Sequence, residues 1–308
     1  MGTLSRSQDK CRQSISHGIR TMVSEANHIK DLIKSLFIMA YMVEARDPYT
    51  GGHLWRVSQY SRLLAQDVDL STEAVARISI GGFLHDLGKI AVPDAILNNP
   101  GRLSEHEYSI VQTHPEVGER LLHGHPLASL VESTILCHHE RPDGKGYPNR
   151  LQGDEISLDA RIVAISDAFD AMTSNRPYRK GMPVDQALYI IDENLGLQFD
   201  TKLGRRFIIL GKDGVLDSIR GHSEPGIPVQ ECPICGPTII VTKQHHTGDH
   251  VYCRVCGSEA EVSRDHGAIK LIPTGHHGTP HDLEPEIDHA LIDSLVSEIA
   301  RHVMSSAA

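Results

Sequence analysis

The sequence predicts an all-helical domain, then a small β-rich domain, and finally a single amphipathic helix. Apolar side chains recur every three or four residues through most of the chain before residue 218, as they do on one face of a helix. Beyond residue 230 the pattern changes to short β-like runs separated by turn residues. Two Cys-x-x-Cys pairs lie in that second part, which indicates a separate unit built around them.

We divide the 308 residues into five parts. They are an N-terminal amphipathic helix over 1–34, a helical domain over 35–217, a linker rich in proline and glycine over 218–230, a cysteine-bearing domain over 231–273, and a polar hinge with a last amphipathic helix over 274–308. The N-terminal helix either packs on the core of its own chain or pairs with a second copy to form a homodimer.

Local patterns place the individual elements. Helices are predicted at Ile78–Leu87, Glu105–Leu122, Ala128–His138, Leu158–Ala171, Val184–Asn194 and Thr201–Leu210. The stretch Glu140–Gly153 is rich in glycine, proline and aspartate and is predicted to be a loop. Strands are predicted at Thr238–Lys243, His250–Cys253, Glu259–Ser263 and Ala268–Ile272.

Composition restricts the classes of function. The formal net charge of -10 argues against general nucleic-acid binding. No apolar run approaches the length of a membrane span, and Met1–Lys10 lacks the apolar core of a signal peptide, so we expect a cytoplasmic protein without a membrane partner. In such a chain paired cysteines favour metal binding over disulfides, whereas Cys11 and Cys137 are expected to be inert thiols.

The chain has 20 histidines, and many stand beside aspartate, glutamate or another histidine. Side chains of adjacent helical residues diverge by about 100°, so a pair such as His85–Asp86 reaches one centre only if metal ions lie on either side of it. Asp86 is the natural bridge because each carboxylate oxygen can bind one ion. The candidate ligands are His53, His85, Asp86, His114, His138, His139 and Asp167.

Imidazole and carboxylate ligands without thiolate suit iron, manganese, zinc or nickel. Two such ions roughly 3.5–4 Å apart hydrolyse phosphoesters by activating a hydroxide and neutralising charge on the phosphoryl oxygens. Lys89, one turn beyond the pair, is expected to touch the phosphate or the bridging water, and Asp86 and Lys89 are the predicted catalytic residues. A lone buried histidine is more often a hydrogen-bonded core residue, but the two adjacent pairs together favour a metal site.

These residues also match a known family. The segment His138-His139-Glu140-Arg141-Pro142-Asp143-Gly144-Lys145-Gly146-Tyr147-Pro148 resembles the signature of the HD-GYP domain, and His85-Asp86-Leu87-Gly88-Lys89-Ile90 resembles its HD motif. Further similar stretches are Arg46–His53, Asp167–Arg179 and Gln198–Asp200, so the resemblance covers residues 35 to 215. It implies an all-helical phosphodiesterase that hydrolyses cyclic di-GMP to linear pGpG or to GMP.

The resemblance also implies roles for individual residues. One metal, with iron or manganese favoured, would be held by His53, His85, Asp86 and Asp167, and the second by Asp86, His114, His138 and His139. Expected substrate contacts are Arg176, Arg179, Tyr147, Asp170 and Lys180. Tyr49 stands where some family members place a glutamate that helps to hold a third metal, so we expect two metals.

The C-terminal cysteines are Cys232, Cys235, Cys253 and Cys256. Two Cys-x-x-Cys pairs separated by a β-like segment suit one tetrahedral structural zinc of zinc-ribbon type. Gly236 and Gly257 follow the pairs and permit the tight turn that such a site needs. A redox role is disfavoured because no thioredoxin-like βαβ pattern surrounds either pair. We expect this domain to bind a protein partner or to regulate the helical domain.

Two other functions remain open. The chain could be a module that binds cyclic di-GMP without turnover and signals through its ribbon or terminal helices. Alternatively, it could hydrolyse another cyclic dinucleotide or nucleotide, because nothing in the sequence reads guanine directly.

Overall fold

The computed structural model describes residues 27–47, 50–99, 101–175 and 180–305. The first helix, α1, is described over 27–44. It is followed by α2 (His53–Asp67), α3 (Thr72–Leu84), α4 (Asp94–Leu97), α5 (Glu105–Val111), α6 (His114–Leu122), α7 (Ala128–Cys137), α8 (Leu158–Thr173), α9 (Val184–Glu193), α10 (Thr201–Lys212) and, after the β-rich region, α11 (His289–Ser305). The predicted sequence of helices, then strands, then a helix is therefore observed.

The helices enclose one main hydrophobic core. Tyr60 of α2 packs edge-on against Phe169 of α8, with ring centroids 5.2 Å apart, and Phe37 of α1 stacks on Phe83 of α3 at 4.2 Å. Helix α11 closes the core against α3, and its Ile292 is fully buried. Burial of each large apolar side chain contributes about 1.5–3 kcal/mol, so we expect this core to support the helical domain without a metal.

The described part of α1 packs on its own chain. Ile33, Leu36 and Phe37 are buried in the main core, as expected if this helix covers the domain that follows. The predicted first part of the helix, residues 1–26, lies outside the described residues. The dimerisation hypothesis therefore stays a prediction.

One predicted helix, Glu105–Leu122, is wrong because it is broken into α5 and α6 at Gln112 and Thr113. The cause is Pro115, which has no N–H to donate to the carbonyl of Val111 and is tolerated only in the first turn of a helix. Nδ1 of His114 donates to that carbonyl instead, at 2.7 Å. The break therefore orients a candidate ligand.

The two pairs that carry the metal motifs lie at helix ends rather than inside helices. Helix α3 ends at Leu84, and His85–Asp86 forms the junction with a short 3-10 helix, Leu87–Ala91. Helix α7 ends at Cys137, so His138–His139 follows it. The predicted helices Ile78–Leu87 and Ala128–His138 were therefore too long.

The β-rich region consists of β1 (His222–Glu224), β2 (Ile227–Pro228), β3 (Gln230–Glu231), β4 (Thr238–Ile239), β5 (His250–Tyr252), β6 (Ser258–Asp265) and β7 (Ala268–His277). All pairs are antiparallel: β1 with β2, β3 with β4, and β5–β6–β7 in one sheet. The predicted linker 218–230 is thus partly structured, because Pro225-Gly226 turns the chain between β1 and β2. Among the described helices none is long and apolar enough to cross a membrane.

Candidate metal centre

The candidate ligands come from distant parts of the chain and meet at one point. His53 is the first residue of α2, His114 is the first residue of α6, and Asp167 lies in α8. Two groups of three residues each place their ligand atoms within 4.8 Å of one another: His53 with His85 and Asp86, and His114 with His138 and His139. Most of these side chains are buried, so their polar groups need partners within the protein.

Asp86 belongs to the first group and also faces the second. Its Oδ2 atom is 3.5 Å from Nε2 of His53 and 3.4 Å from Nε2 of His85. Its Oδ1 atom is 3.4 Å from Nε2 of His114. Asp167 joins the first group, because its Oδ1 is 3.5 Å from Nε2 of His53. Each oxygen of Asp86 therefore faces a different set of ligands, which is the arrangement that a bridging carboxylate needs.

Hydrogen bonds to the backbone fix the tautomer of three of these histidines. In each case Nδ1 lies 2.7–2.8 Å from the carbonyl three residues earlier, and a carbonyl can only accept. The pairs are His85 with Gly82, His114 with Val111, and His138 with Ile135. In the neutral form of each ring the proton is therefore on Nδ1, and the Nε2 lone pair is directed into the site, as in a metal-binding histidine.

Two further observations show that the site fits cations. Nε2 of His85 is buried and has no hydrogen-bond partner among the described residues. The Nε2 atoms of His114 and His138 are 3.1 Å apart, although both carry lone pairs once Nδ1 holds the proton. Facing lone pairs repel, and a cation that both nitrogens can ligate removes the repulsion. Imidazole and carboxylate donors in this number suit divalent transition metals.

The charges differ between the two groups. Burial lowers the pKa of His114 to about 4 and the pKa of His139 to about 3, so both are neutral at physiological pH. Burial also acts to lower the pKa of His85, but Asp86 and Asp167 oppose it and raise that pKa to about 10. Burial acts to raise the pKa of Asp86, but Lys89 and His85 hold it well below its usual value. The carboxylate is therefore ionised.

The short 3-10 helix positions Lys89. Its Nζ atom donates to Oδ2 of Asp86 at 2.6 Å. The guanidinium of Arg46 donates to the carbonyls of Lys89, Ile90 and Val92 at 3.2, 2.9 and 2.8 Å, and so holds this helix in place. A Cβ atom on Gly88 would lie 1.8 Å from the carbonyl oxygen of His114, so glycine is required there. This explains the glycine of the HD motif.

The loop after α7 covers the second group of ligands. The buried Glu140 accepts from the backbone N–H groups of Asn149 and Leu151 at 2.6 and 3.0 Å. Two residues before Asn149, the ring of Tyr147 stacks on His139, with centroids 4.8 Å apart and planes 28° apart. Gly146 approaches the backbone of Glu140 too closely for any Cβ atom. The loop is therefore fixed at both sides of Tyr147.

The expected substrate contacts are only partly placed. Arg176, Arg179 and Tyr49 lie outside the described residues, and Lys180 is exposed. Asp170 is not placed as a substrate contact: only 1% of it is exposed, and its carboxylate accepts from Nδ1 of His53 at 2.8 Å and from Arg56. In the structure it orients the ring of the candidate ligand His53.

The sequence did not identify Arg56, Arg46 or Glu140 as supporting residues. A signal for Arg56 was present, because it lies three residues after His53 and thus on the same face of α2. The partner of each of these residues is distant or in a loop, and so the contact itself could not be read from the sequence.

The four C-terminal cysteines form a second candidate site. Their Sγ atoms lie within 4.8 Å of one another, and the described cysteines form no disulfide. The Sγ atom of Cys232 is 3.8 Å from both Cys235 and Cys256, and Cys235 is 3.5 Å from Cys253. A tetrahedron with metal–sulfur bonds of about 2.3 Å has edges of about 3.8 Å, so the spacing fits zinc.

Comparison with known proteins agrees with this geometry. The profile described as the HD domain matches residues 38–203, more than half of the chain. The chain therefore belongs to the HD domain family.

Its relatives include several named enzymes of cyclic dinucleotides. It is 42% identical over 159 residues to a protein of Vibrio cholerae named 3'3'-cGAMP-specific phosphodiesterase 3, and this covers 52% of the chain and 35% of the relative. It is 40% identical over 171 residues to the cyclic di-GMP phosphodiesterase response regulator RpfG of Xanthomonas campestris, covering 55% and 45%. A cyclic di-GMP phosphodiesterase of Pseudomonas aeruginosa is 41% identical over 167 residues, covering 54% and 40%. The chain thus spans less than half the length of each of these three.

Proposed function

We propose that this chain is a metal-dependent phosphodiesterase that hydrolyses a cyclic dinucleotide, with cyclic di-GMP as the first candidate and linear pGpG or GMP as the product. The observation that carries the proposal is the position of Asp86, whose two oxygens face two separate groups of ligand atoms. The names of the relatives support the choice of substrate class.

Two divalent ions at this centre, with iron or manganese favoured over zinc or nickel, would lower the pKa of an attacking water and neutralise charge on the phosphoryl oxygens. His53, His85 and Asp167 would hold one ion with Oδ2 of Asp86. His114, His138 and His139 would hold the other with Oδ1.

The remaining residues act on the substrate. Lys89 Nζ lies beside Asp86 and can donate a hydrogen bond to a phosphoryl oxygen at the same centre. The Tyr147 ring lies over His139 and is placed to exclude water from that side. We assign phosphate binding to Arg176, Arg179 and Lys180, because guanidinium and ammonium groups suit anionic oxygens.

We propose one structural zinc at Cys232, Cys235, Cys253 and Cys256, supported by the distances between the thiols. Ile234 and Val255, between the cysteines of each pair, are 62% and 51% exposed. This supports a protein-binding role for the region. We further place the protein in the cytoplasm, where paired thiols stay reduced.

A second candidate substrate is 3'3'-cGAMP. It is favoured by the relative from Vibrio cholerae, which is 42% identical and is named for that substrate. An equimolar mixture of the two cyclic dinucleotides, sampled during turnover, measures the ratio of their kcat/KM values directly.

The test of the proposal is turnover by the full chain after metal removal and reloading with iron(II) or manganese(II). Chromatography of the products should show a linear dinucleotide or mononucleotide that appears only with metal. A chain that binds two ions at the His/Asp centre and yields no product from either dinucleotide would contradict the enzymatic proposal. Tight binding without turnover would identify a receptor instead.

A further inference from the structure

Two helices present matched pairs of residues at the metal centre. On α2, His53 is followed three residues later by Arg56, and on α8, Asp167 is followed three residues later by Asp170. Residues three apart share a helix face, so both second members lie one turn behind the ligands. The candidate ligands His53 and Asp167 form one layer, and the buried ion pair of Arg56 and Asp170 forms the next layer, one helical turn further along both helices.

Arg56 is 3% exposed, and all three nitrogens of its guanidinium group donate hydrogen bonds. Nε and Nη2 donate to the two oxygens of Asp170 at 2.6 and 3.0 Å, a bidentate pair. Nη2 also donates to Oγ of Ser174 at 3.2 Å, and Nη1 donates to the carbonyls of Gly51 at 3.0 Å and His222 at 2.9 Å. The group thus connects the loop before α2, the end of α8 and strand β1.

The consequence for the metal centre is a fixed ring of His53. A carboxylate accepts and does not donate, so Asp170 receives the Nδ1 proton of His53 at 2.8 Å and leaves the Nε2 lone pair for a metal. Asp170 has two oxygens, and Arg56 orients both. Without that fork the carboxylate could rotate, and the ring that it orients would rotate with it.

The contact with His222 adds a connection to the C-terminal region. His222 begins β1, and a Cβ atom on Gly52, the residue before His53, would lie 2.6 Å from Cα of Ser223 in the same strand. The strand therefore packs directly on the start of α2. Arg56 donates across this junction and couples the strand to the ligand that begins the helix.

We propose that Arg56 is a positioning residue for the metal ligand His53, which it controls through Asp170, and that its bond to His222 makes strand β1 part of the support of the metal centre. The inference rests on the proposed function, since it concerns the same centre. Arg56 touches neither metal nor substrate. Its effect is transmitted by the orientation of the imidazole.

The first test compares the metal affinity of Arg56→Met and Arg56→Lys with that of Arg77→Met. Arg77 is the control, because it forms the same bidentate pair with Asp159, at 2.6 and 3.1 Å, although its side chain is 36% exposed where that of Arg56 is buried. We expect Arg56→Met to weaken binding of manganese(II) about 10–100-fold, the usual effect of losing a group behind a metal ligand. Arg77→Met should bind manganese(II) as the wild type does.

The second variant, Asp170→Asn, keeps the shape of the side chain and covers the case in which Arg56→Met does not fold. An amide can donate to Nδ1 of His53 and so favour the tautomer with its proton on Nε2, which cannot bind metal. We expect fewer bound ions at limiting manganese(II), and kcat reduced more than KM is raised. A folded Asp170→Asn with wild-type affinity and kcat would overturn the positioning role.

The role of strand β1 has its own measurement. Arg56→Lys keeps the charge but cannot reach Asp170, Gly51 and His222 together, so hydrogen exchange of the amides in 221–229 should become faster. Unchanged exchange there would remove the β1 part of the proposal. Metal titration and exchange need no substrate, so these results decide the inference even if the wild-type chain hydrolyses no cyclic dinucleotide.

Discussion

The His/Asp centre and the cysteine cluster are both candidate metal sites, but they differ in what surrounds them. The candidate ligands of the first lie in or at the ends of helices that share an extensive core, which includes fully buried residues such as Tyr60, Phe169 and Phe207. The cysteine cluster lies in a core whose buried members, besides Cys232 and Cys253, are Ile239, Val241, Val251, Ala260 and Val262. From the sizes of the two cores we expect the helical domain to fold without metal and the cysteine domain to need it.

This difference in core size predicts a different role for a metal at each of the two candidate sites. At the His/Asp centre the histidines are oriented by hydrogen bonds that need no ion, such as those from His85 and His138 to backbone carbonyls. A metal bound there would add chemistry to a site that is already formed. For the cysteine domain we expect a bound zinc to supply much of the folding energy, as in small zinc domains generally.

The largest expected effect is on the stability of the cysteine domain. Cys253→Ser removes a fully buried thiol ligand, and binding of a structural zinc by such sites is worth about 10–16 kcal/mol. We expect the region 231–277 to lose its protection from hydrogen exchange, while the helices keep theirs. Ile234→Ser, at an exposed position between two ligands, is the control and should retain zinc. Equal protection in both variants would show that zinc does not hold this domain.

Asp86→Ala tests whether the helical domain, unlike the cysteine domain, stays folded when its metals are lost. It removes the carboxylate that faces both groups of ligands, so we expect loss of both ions and turnover at background level. Helical circular dichroism should remain close to the wild-type signal, because the core does not depend on the metals. Asp213→Ala, at an exposed carboxylate after α10, should change neither property. A variant at Asp86 that kept both ions would refute the bridging assignment.

Lys89→Met separates chemistry from metal binding within the same centre. The side chain keeps its length but loses the ammonium group, which lies 2.6 Å from Asp86. Losing one preorganised donor to a developing charge usually lowers kcat about 10²–10³-fold. Both metals should remain, as measured by elemental analysis of the purified variant. If kcat stayed at the wild-type value, Lys89 would have no part in the reaction.

Glu140→Ala produces the smallest expected change. It leaves the N–H groups of Asn149 and Leu151 without their carboxylate acceptor, and hydrogen bonds to charged groups contribute about 1.5–3 kcal/mol each. We expect a lower free energy of unfolding and a higher KM, because Tyr147 is no longer held over His139. Glu140→Gln keeps one acceptor and should fall between Ala and wild type in a denaturant titration. Equal KM values in all three proteins would show that the loop does not bind substrate.

The clustering of these histidines and aspartates could be predicted from the sequence because adjacent histidine and aspartate pairs are rare and their chemistry is specific. The helix bounds around them were less accurate. His85 and His138 terminate their helices, and Pro115 interrupts a third, so local periodicity continued past the true ends. Pro115 by itself predicts the break, because proline is tolerated only in the first turn of a helix.

The support of the ligands could not be predicted in the same way. Asp170 was assigned to substrate on a motif, whereas its partners are Arg56, 114 residues earlier, and His53, 117 residues earlier. Such contacts follow from the packing of α2 on α8, which no local pattern encodes. The hairpin at Pro225-Gly226 was missed for another reason, since its strands are two and three residues long and look like a linker.

The most direct test of the account is the metal content of the full chain. We predict three ions per chain: two of iron or manganese that Asp86→Ala removes together, and one zinc that Cys253→Ser removes by itself. Elemental analysis of the wild-type protein and the two variants gives this count. Loss of zinc in Asp86→Ala, or retention of either His/Asp ion in that variant, would contradict the division into a catalytic centre and a structural one.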